Sequence, residues 1–527
     1  MNPAETAEGL VRELLQIAAA PLPIEERDDA LTAVLQRATA LDAHDAVLFI
    51  QLCEAARWPD AWLRSSLLAA LTGRDQWFLD LAQRSSALID EPDLLVELMF
   101  NLQTAMFVQR QVPSREARAE IDRILRQIYR ASTEQVVAQI APPRRTTNDI
   151  RRIAILTPQL LSLYHAPTRD ALWLASALDA RGIEAVVINS NCWPYETKLR
   201  LFQARIAYSE SELAGLQTLA ALGGRWKTPL TVFTPERGSI VQLCRDVSNF
   251  VQHHQIDAII SHDAPFVQDT LAAQLPLLWI ATGGTVPYGR ADAIWVAREL
   301  LDDDAIAKAH RMGIRMVLPR ELLFTLPQPA SAFPRETLSI SNEAILIVVI
   351  GNRLENELDM QFIDLMSDIL AEVPLAVLLL AGISTERAAK RFNSPRVRPG
   401  QVIGMGHCSD LRGLCAVVDI LVNPFRIGGG TSAQTAMAEG VPIVTLAMGD
   451  VGAVAGEELA SPDVESFINR LRLLVSDPEA RKRESARSLA RIEARFDFDR
   501  QVDEMLATLR TLAADPTPSF EVVAATG

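Results

Sequence analysis

Apolar residues recur at helical spacing over the first 140 positions. Leu10, Val11, Leu14 and Leu15 form an i, i+4 stripe, and similar stripes run through 33–41, 67–71, 94–102 and 121–128. Pro21-Leu22-Pro23, Gly73 and Pro113 punctuate them. The pattern predicts an all-helical domain over residues 1–140, without a fixed-period repeat, in which Trp58, Trp62 and Trp77 serve packing. Residues 141–149 read as a linker. The pattern then changes to short continuous apolar runs at 153–156, 185–188, 231–234, 258–261, 277–281 and 293–296, as expected of buried parallel strands with helices between them. A second linker surrounds Leu326-Pro327-Gln328-Pro329. The pattern restarts with runs at 344–350, 376–380, 401–404, 420–422 and 443–445. Two doubly wound α/β halves, 150–327 and 330–513, are therefore expected to face each other across a cleft at their strands' carboxyl ends. Helices after Asp463 finish the second half, with the option of crossing back, and 514–527 reads as a flexible tail.

Composition narrows the function. A chain of 527 residues is long enough for three or four domains of about 100–200 residues each. The net charge of −15 argues against nucleic acid as the main partner, because phosphate backbones need a basic surface. Cys53, Cys192, Cys244, Cys408 and Cys415 are scattered, which fits a reducing cytosol and offers no zinc framework. The start has no basic n-region, and the apolar run 373–383 is too short for a bilayer span. A cytoplasmic protein without a membrane span is expected, with peripheral membrane contact left open. Asp302-Asp303-Asp304 opens a helical stretch and reads as a cap rather than a metal motif.

The densest chemical signal is Asn423-Pro424-Phe425-Arg426-Ile427-Gly428-Gly429-Gly430-Thr431-Ser432, which follows an apolar run and precedes a helix. Glycines let a backbone turn sharply and approach a ligand. Thr431 and Gln434 have capping-box spacing. The first amides of such a helix are unpaired and lie at the positive end of its dipole, so Gly428, Gly429, Gly430, Thr431 and Ser432 are expected to hold a phosphate. A tight turn that binds nothing is the alternative.

With Gly440-Val441-Pro442-Ile443-Val444-Thr445 after it, this stretch resembles the donor-binding loop of GT-B glycosyltransferases. It is most similar to the inverting O-GlcNAc-transferase-like group, which includes the HMW1C-type protein glucosyltransferases. The resemblance implies a nucleotide-sugar donor, most simply a UDP-hexose, a protein or peptide acceptor, and no metal or other cofactor. It also assigns roles. His165, in His165-Ala166-Pro167-Thr168, would be the general base or a phosphate contact, and Thr168 a donor to phosphate; a helix-capping loop is the alternative. From position alone, at the end of a predicted first-half strand, His262 in Ser261-His262-Asp263 is a second candidate base oriented by Asp263, or part of a polar loop pair. Thr282-Gly283-Gly284-Thr285 would line the cleft or merely turn. Arg353 would neutralise the departing diphosphate, or pair with Glu355 or Glu357 at the surface. His407 would stack on base or sugar, or face solvent.

Two departures stand out. Retaining GT-B enzymes of the Glu-x7-Glu type would carry carboxylates at Ile427 and Thr435; neither is present. The inverting group's ribose-holding carboxylate would also fall at Thr435, and its lysine near Asn356. Two other readings therefore stay open. One is a polysaccharide or glycolipid transferase, or a sugar-nucleotide epimerase. The other is a catalytically silent GT-B partner. Oligomeric state is left open as well.

Overall fold

The computed structural model describes residues 6–108, 113–145, 149–161, 165–207, 215–219, 230–281, 288–324, 326, 335, 340–514 and 521–523. Helices Ala7–Ala19, Ile24–Ala38, Ala43–Ala55, Ala61–Thr72, Asp75–Arg84, Pro92–Val108 and Arg115–Ile140 build the amino-terminal region. Fourteen described strands follow. They are β1 (Arg152–Thr157), β2 (Glu184–Asn189), β3 (Gly215–Leu219), β4 (Leu230–Thr234), β5 (Ala258–Ser261), β6 (Leu277–Ile280), β7 (Ala293–Ala297), β8 (Met316–Arg320), β9 (Ile345–Ile350), β10 (Ala376–Ala381), β11 (Val402–Gly406), β12 (Ile420–Val422), β13 (Ile443–Val444) and β14 (Glu521–Val522).

They form two sheets, ordered β14-β8-β7-β6-β5-β1-β2-β4-β3 and β11-β10-β9-β12-β13. All pairings are parallel except β3 with β4. The architecture is GT-B: two parallel α/β halves preceded by a helical region.

Alternation along each strand sorts side chains between layers. In β1, Ile153 and Ile155 face a core completed by Val502, Met505, Leu506, Leu509 and Leu512 of helix Phe498–Ala514. Ala154 and Leu156 face the opposite core, which runs without a break into the helical region, from Leu10 and Leu14 to Leu125 and Tyr129. The helical region and the first half thus share one core. The last helix, though it follows the second half in sequence, packs under the first. Arg181 fastens it with bonds to Asp503 and Asp499.

Trp58 and Trp77 are buried, in line with a packing role. Asp302 caps helix Asp303–Arg311, its carboxylate accepting from Ala305 N. The tail departs from expectation: Glu521–Val522 pairs with Met316 and Val317 as an edge strand, because β8 otherwise has a bare edge. Among the described residues no helix is long and apolar enough to cross a membrane.

Candidate active site

Strand order decides which candidate residues meet. In the second sheet β9 lies beside β12, and the chain reverses its direction of progress there. Loops leaving adjacent strands at such a switch point converge at the carboxyl edge. Gly351 and Arg353 follow β9, and the glycine loop follows β12. In the first sheet the switch lies between β1 and β5, which are neighbours; His165 follows β1 and His262 directly follows β5.

The glycine loop turns at Gly429, whose φ of +114° lies in the left-handed region. Helix Gly430–Ala438 starts directly after it, with no side-chain cap. The expected capping box does not form. Gln434 instead donates to the Leu323 and Leu322 carbonyls at 3.2 and 3.5 Å, tying this helix to the segment between the halves. The first amides, at Gly430, Thr431 and Ser432, are therefore not satisfied by a capping side chain. A β-carbon on Gly430 would stand 2.9 Å from Asp450 Cβ, and one on Gly429 2.9 Å from Arg426 Nη2. Gly429 is thus required by conformation as well as by space, and Gly430 by space alone.

Arg426, not foreseen as a site residue, is the fixed charge here. Nε donates to Asn423 Oδ1 at 2.9 Å, one terminal nitrogen donates to the Ile350 carbonyl, and the other pairs with Glu357. Glu357 is shared: Arg353 Nε reaches its other oxygen at 3.0 Å. Burial raises the Glu357 carboxyl, yet Arg426 and Arg353 outweigh burial and hold it below the ordinary carboxylate range. Arg353 does pair with Glu357, as the surface alternative anticipated, but its side chain is 47% exposed and it also acts electrostatically on His165 and Asp450. Burial raises the Asp450 carboxyl to about 6 against the pull of Arg353 and Arg426, and its Oδ1 finds no hydrogen-bond partner among the described residues.

Across the cleft, His165 sits at the start of helix Ala166–Asp179 without capping it. Its Nδ1 lies 2.8 Å from Thr168 Oγ1, which also accepts from Leu161 N at 2.9 Å. Thr168 is 3% exposed, so its hydroxyl positions His165 and braces the loop rather than facing a phosphate. Burial, then Arg169 and Arg353, lower the His165 pKa to about 4. The imidazole is neutral at neutral pH. His262 is 1% exposed, and among the described residues neither ring nitrogen has a hydrogen-bond partner. Burial, then His165, lower it also to about 4. Asp263 does not orient it. With φ at +47°, Asp263 turns away and accepts from Trp279 Nε1 at 2.6 Å. Asn191 Oδ1 and Gln159 Oε1, in the loops after β2 and β1, are likewise buried without partners.

Other candidates fall elsewhere. His407 is exposed at the end of edge strand β11, two strands from β9. Thr435 is fully buried, and its hydroxyl donates to the Thr431 carbonyl at 2.9 Å within its own helix. Thr282-Gly283-Gly284-Thr285 lies outside the described residues. Arg426 could have been suspected from the loop itself; Asp450 and the orphaned Asn191 and Gln159 carry no signal until burial is known.

With this geometry in place, residues 344–477 match the family described as glycosyl transferases group 1. They span the sheet that carries Arg353 and the glycine loop, so the chain is a glycosyltransferase of GT-B type. No curated protein matches it. Among solved structures it is similar to a point mutant of Thermobaculum terrenum O-GlcNAc transferase, at TM-score 0.50 and 16% identity over 98% of this chain and 100% of that one. A Rickettsia africae glycosyltransferase aligns at 0.48 and 11% identity, over 70% of this chain and 100% of that one. Anabaena HepE, solved with UDP and glucose, aligns at 0.45 and 17% identity, over 68% and 100%. At these identities the likeness concerns fold.

Proposed function

We propose that this transferase moves a hexose from a UDP-sugar to a protein or peptide hydroxyl, with inversion and without a metal ion. The observation that carries the reading is the convergence of an uncapped helix start and Arg353 on one wall with a neutral, half-buried His165 on the other, near enough for Arg353 to act on it. The donor diphosphate would rest on the amides of Gly430, Thr431 and Ser432, with Arg353 beside it. His165 would take the proton of the acceptor hydroxyl as its oxygen attacks the anomeric carbon. The bond to the diphosphate breaks in the same displacement, and Arg353 and the helix dipole stabilise the charge left on UDP. A base lowered to about 4 is weak in the empty enzyme; an arriving diphosphate raises it, since a nearby anion favours the charged imidazolium.

The protein acceptor rests on the resemblance of the donor loop to the O-GlcNAc-transferase-like and HMW1C-type group. The likeness of fold to the Thermobaculum enzyme supports it, because it extends over 98% of the chain and so includes the helical region. A second reading, a silent GT-B partner, is favoured by Thr435, whose hydroxyl is buried in its own helix where a ribose-holding carboxylate would stand. Mass spectrometry of proteins co-expressed with the chain separates the two. A hexose mass on polypeptide supports transfer. UDP binding without any such mass, on protein or glycan, supports the silent partner.

A further inference from the structure

A cavity of about 820 Å³ lies outside the cleft, between helix Arg115–Ile140 of the helical region and the outer side of the first half. It is bordered by Asp292, directly before β7, and Arg315, directly before β8, hence by the amino ends of these strands. The cleft is at the opposite, carboxyl edge. Small-molecule sites usually measure about 300–1,000 Å³.

In a chain of net charge −15, this cavity is cationic. Arg123, Arg126 and Arg130 project from one face of the long helix, and Arg290, Arg311 and Arg315 come from the first half. The lining has only Asp269 and Asp292 against these six. The ion pairs are built with cations in excess. Asp292 is shared by Arg144 and Arg315. Asp122 is shared by Arg126 and Lys308, and Glu134 by Arg130 and Arg290. Each of these three carboxylates thus neutralises one of two cations; Arg123 is matched one to one by Glu120, and no ion pair of Arg311 is found among the described residues. Asp269 is engaged by the Tyr129 hydroxyl and by Arg290 N at 2.9 Å. The charge is graded with depth: Arg126 and Arg315 are 17% and 23% exposed, Arg123 and Arg130 52% and 67%. Tyr129 and Tyr288, with alanines and Met312, supply apolar and aromatic wall between the guanidiniums.

Surplus guanidiniums held in place match phosphate oxygens, and aromatic walls suit a flat body. We propose that this cavity is a second binding site, for a phosphorylated small molecule of nucleotide size, separate from the donor cleft. The site joins the helical region to the first half, so a ligand there would bridge the two. The inference does not depend on the sugar-transfer reading.

Hydrogen–deuterium exchange of the full chain with ATP and with inorganic pyrophosphate tests it. Protection is expected over 119–133, 288–292 and 310–315, and it should persist in Gly430→Asp, which blocks the cleft. By calorimetry, the double variant Arg123→Glu/Arg311→Glu should bind ATP at least tenfold more weakly, with its melting temperature unchanged. Protection confined to the glycine loop, or no phosphate binding at all, would overturn the proposal. So would protection by an oligoglutamate peptide but not by phosphates. Because the exchange map uses the unmodified chain, it decides the matter even if the variant does not fold.

Discussion

The two walls of the cleft hold their polar groups in opposite ways. On the second half Arg426 is fastened on three sides, by Asn423, Glu357 and the Ile350 carbonyl, and Arg353 shares Glu357 with it. On the first half these polar atoms are buried without a partner among the described residues: both ring nitrogens of His262, Asn191 Oδ1 and Gln159 Oε1. A fastened guanidinium is a charge already in position, needing no rearrangement when an anion arrives. A buried polar atom without a partner costs about 1–3 kcal/mol, which a ligand group can restore. One wall is prepared for charge, the other for neutral hydrogen-bonding groups, as a diphosphate and a sugar or hydroxyl acceptor would require.

Breaking the charged wall should have the largest effect. Gly430→Asp places bulk and a second carboxylate against Asp450, and UDP affinity should fall at least about 100-fold, the binding equivalent of roughly 2.7 kcal/mol. Calorimetry checks it. The two arginines should then separate. Arg426→Ala leaves Glu357, 6% exposed, without its main partner and should cost about 3–5 kcal/mol of folding stability in a denaturant titration. Arg353→Ala, at a half-exposed position, should keep the fold and lower kcat about 10²–10³-fold. Equal stability losses in both would show that Arg353 is only a structural partner.

The neutral wall is sharpened by pH. His165→Ala should lower kcat about 10²–10⁴-fold. Because the His165 pKa is lowered, its neutral form persists well below the ordinary imidazole value. The kcat/KM of the intact enzyme should therefore stay level from pH 7 to 5 and decline only toward about 4, as the base is protonated. A decline centred near 6.5 would mean an exposed imidazole or another base. The smallest effect is expected where the halves are joined. Arg181→Ala removes partly exposed pairs to Asp499 and Asp503 and should cost at most about 1 kcal/mol, leaving activity unchanged. The apolar face of the last helix, not these pairs, holds it against the first half.

Sequence revealed much of this plan because a strand buried on both faces leaves a continuous apolar run. All eleven strands expected from such runs are present, with ends shifted by a residue or two. The three missed ones lack that imprint. β8 contains Pro319-Arg320, which reads as a strand end; β3 is an antiparallel edge strand beginning with glycine; β14 has two residues. Within the site, Gly429 and Gly430 were legible because only glycine serves a left-handed turn, at Gly429, and a close contact, at Gly430. Thr431–Gln434 misled, because capping-box spacing cannot show that Gln434 has carbonyls of Leu322 and Leu323 within reach. Arg426 stands in the loop in plain view, but its pairing was hidden, because Glu357 lies 69 residues away in sequence. The orphaned ring of His262 was hidden because burial is a property of the assembled fold.

The most direct test of the donor wall is calorimetric titration of the intact chain with UDP, GDP, ADP, CMP and dTDP, without added metal, repeated on Gly430→Asp. Selective binding of UDP by the intact chain, lost in the variant, is the predicted result. Absence of nucleotide binding, or UDP binding that survives Gly430→Asp unchanged, would contradict a donor site on the glycine loop.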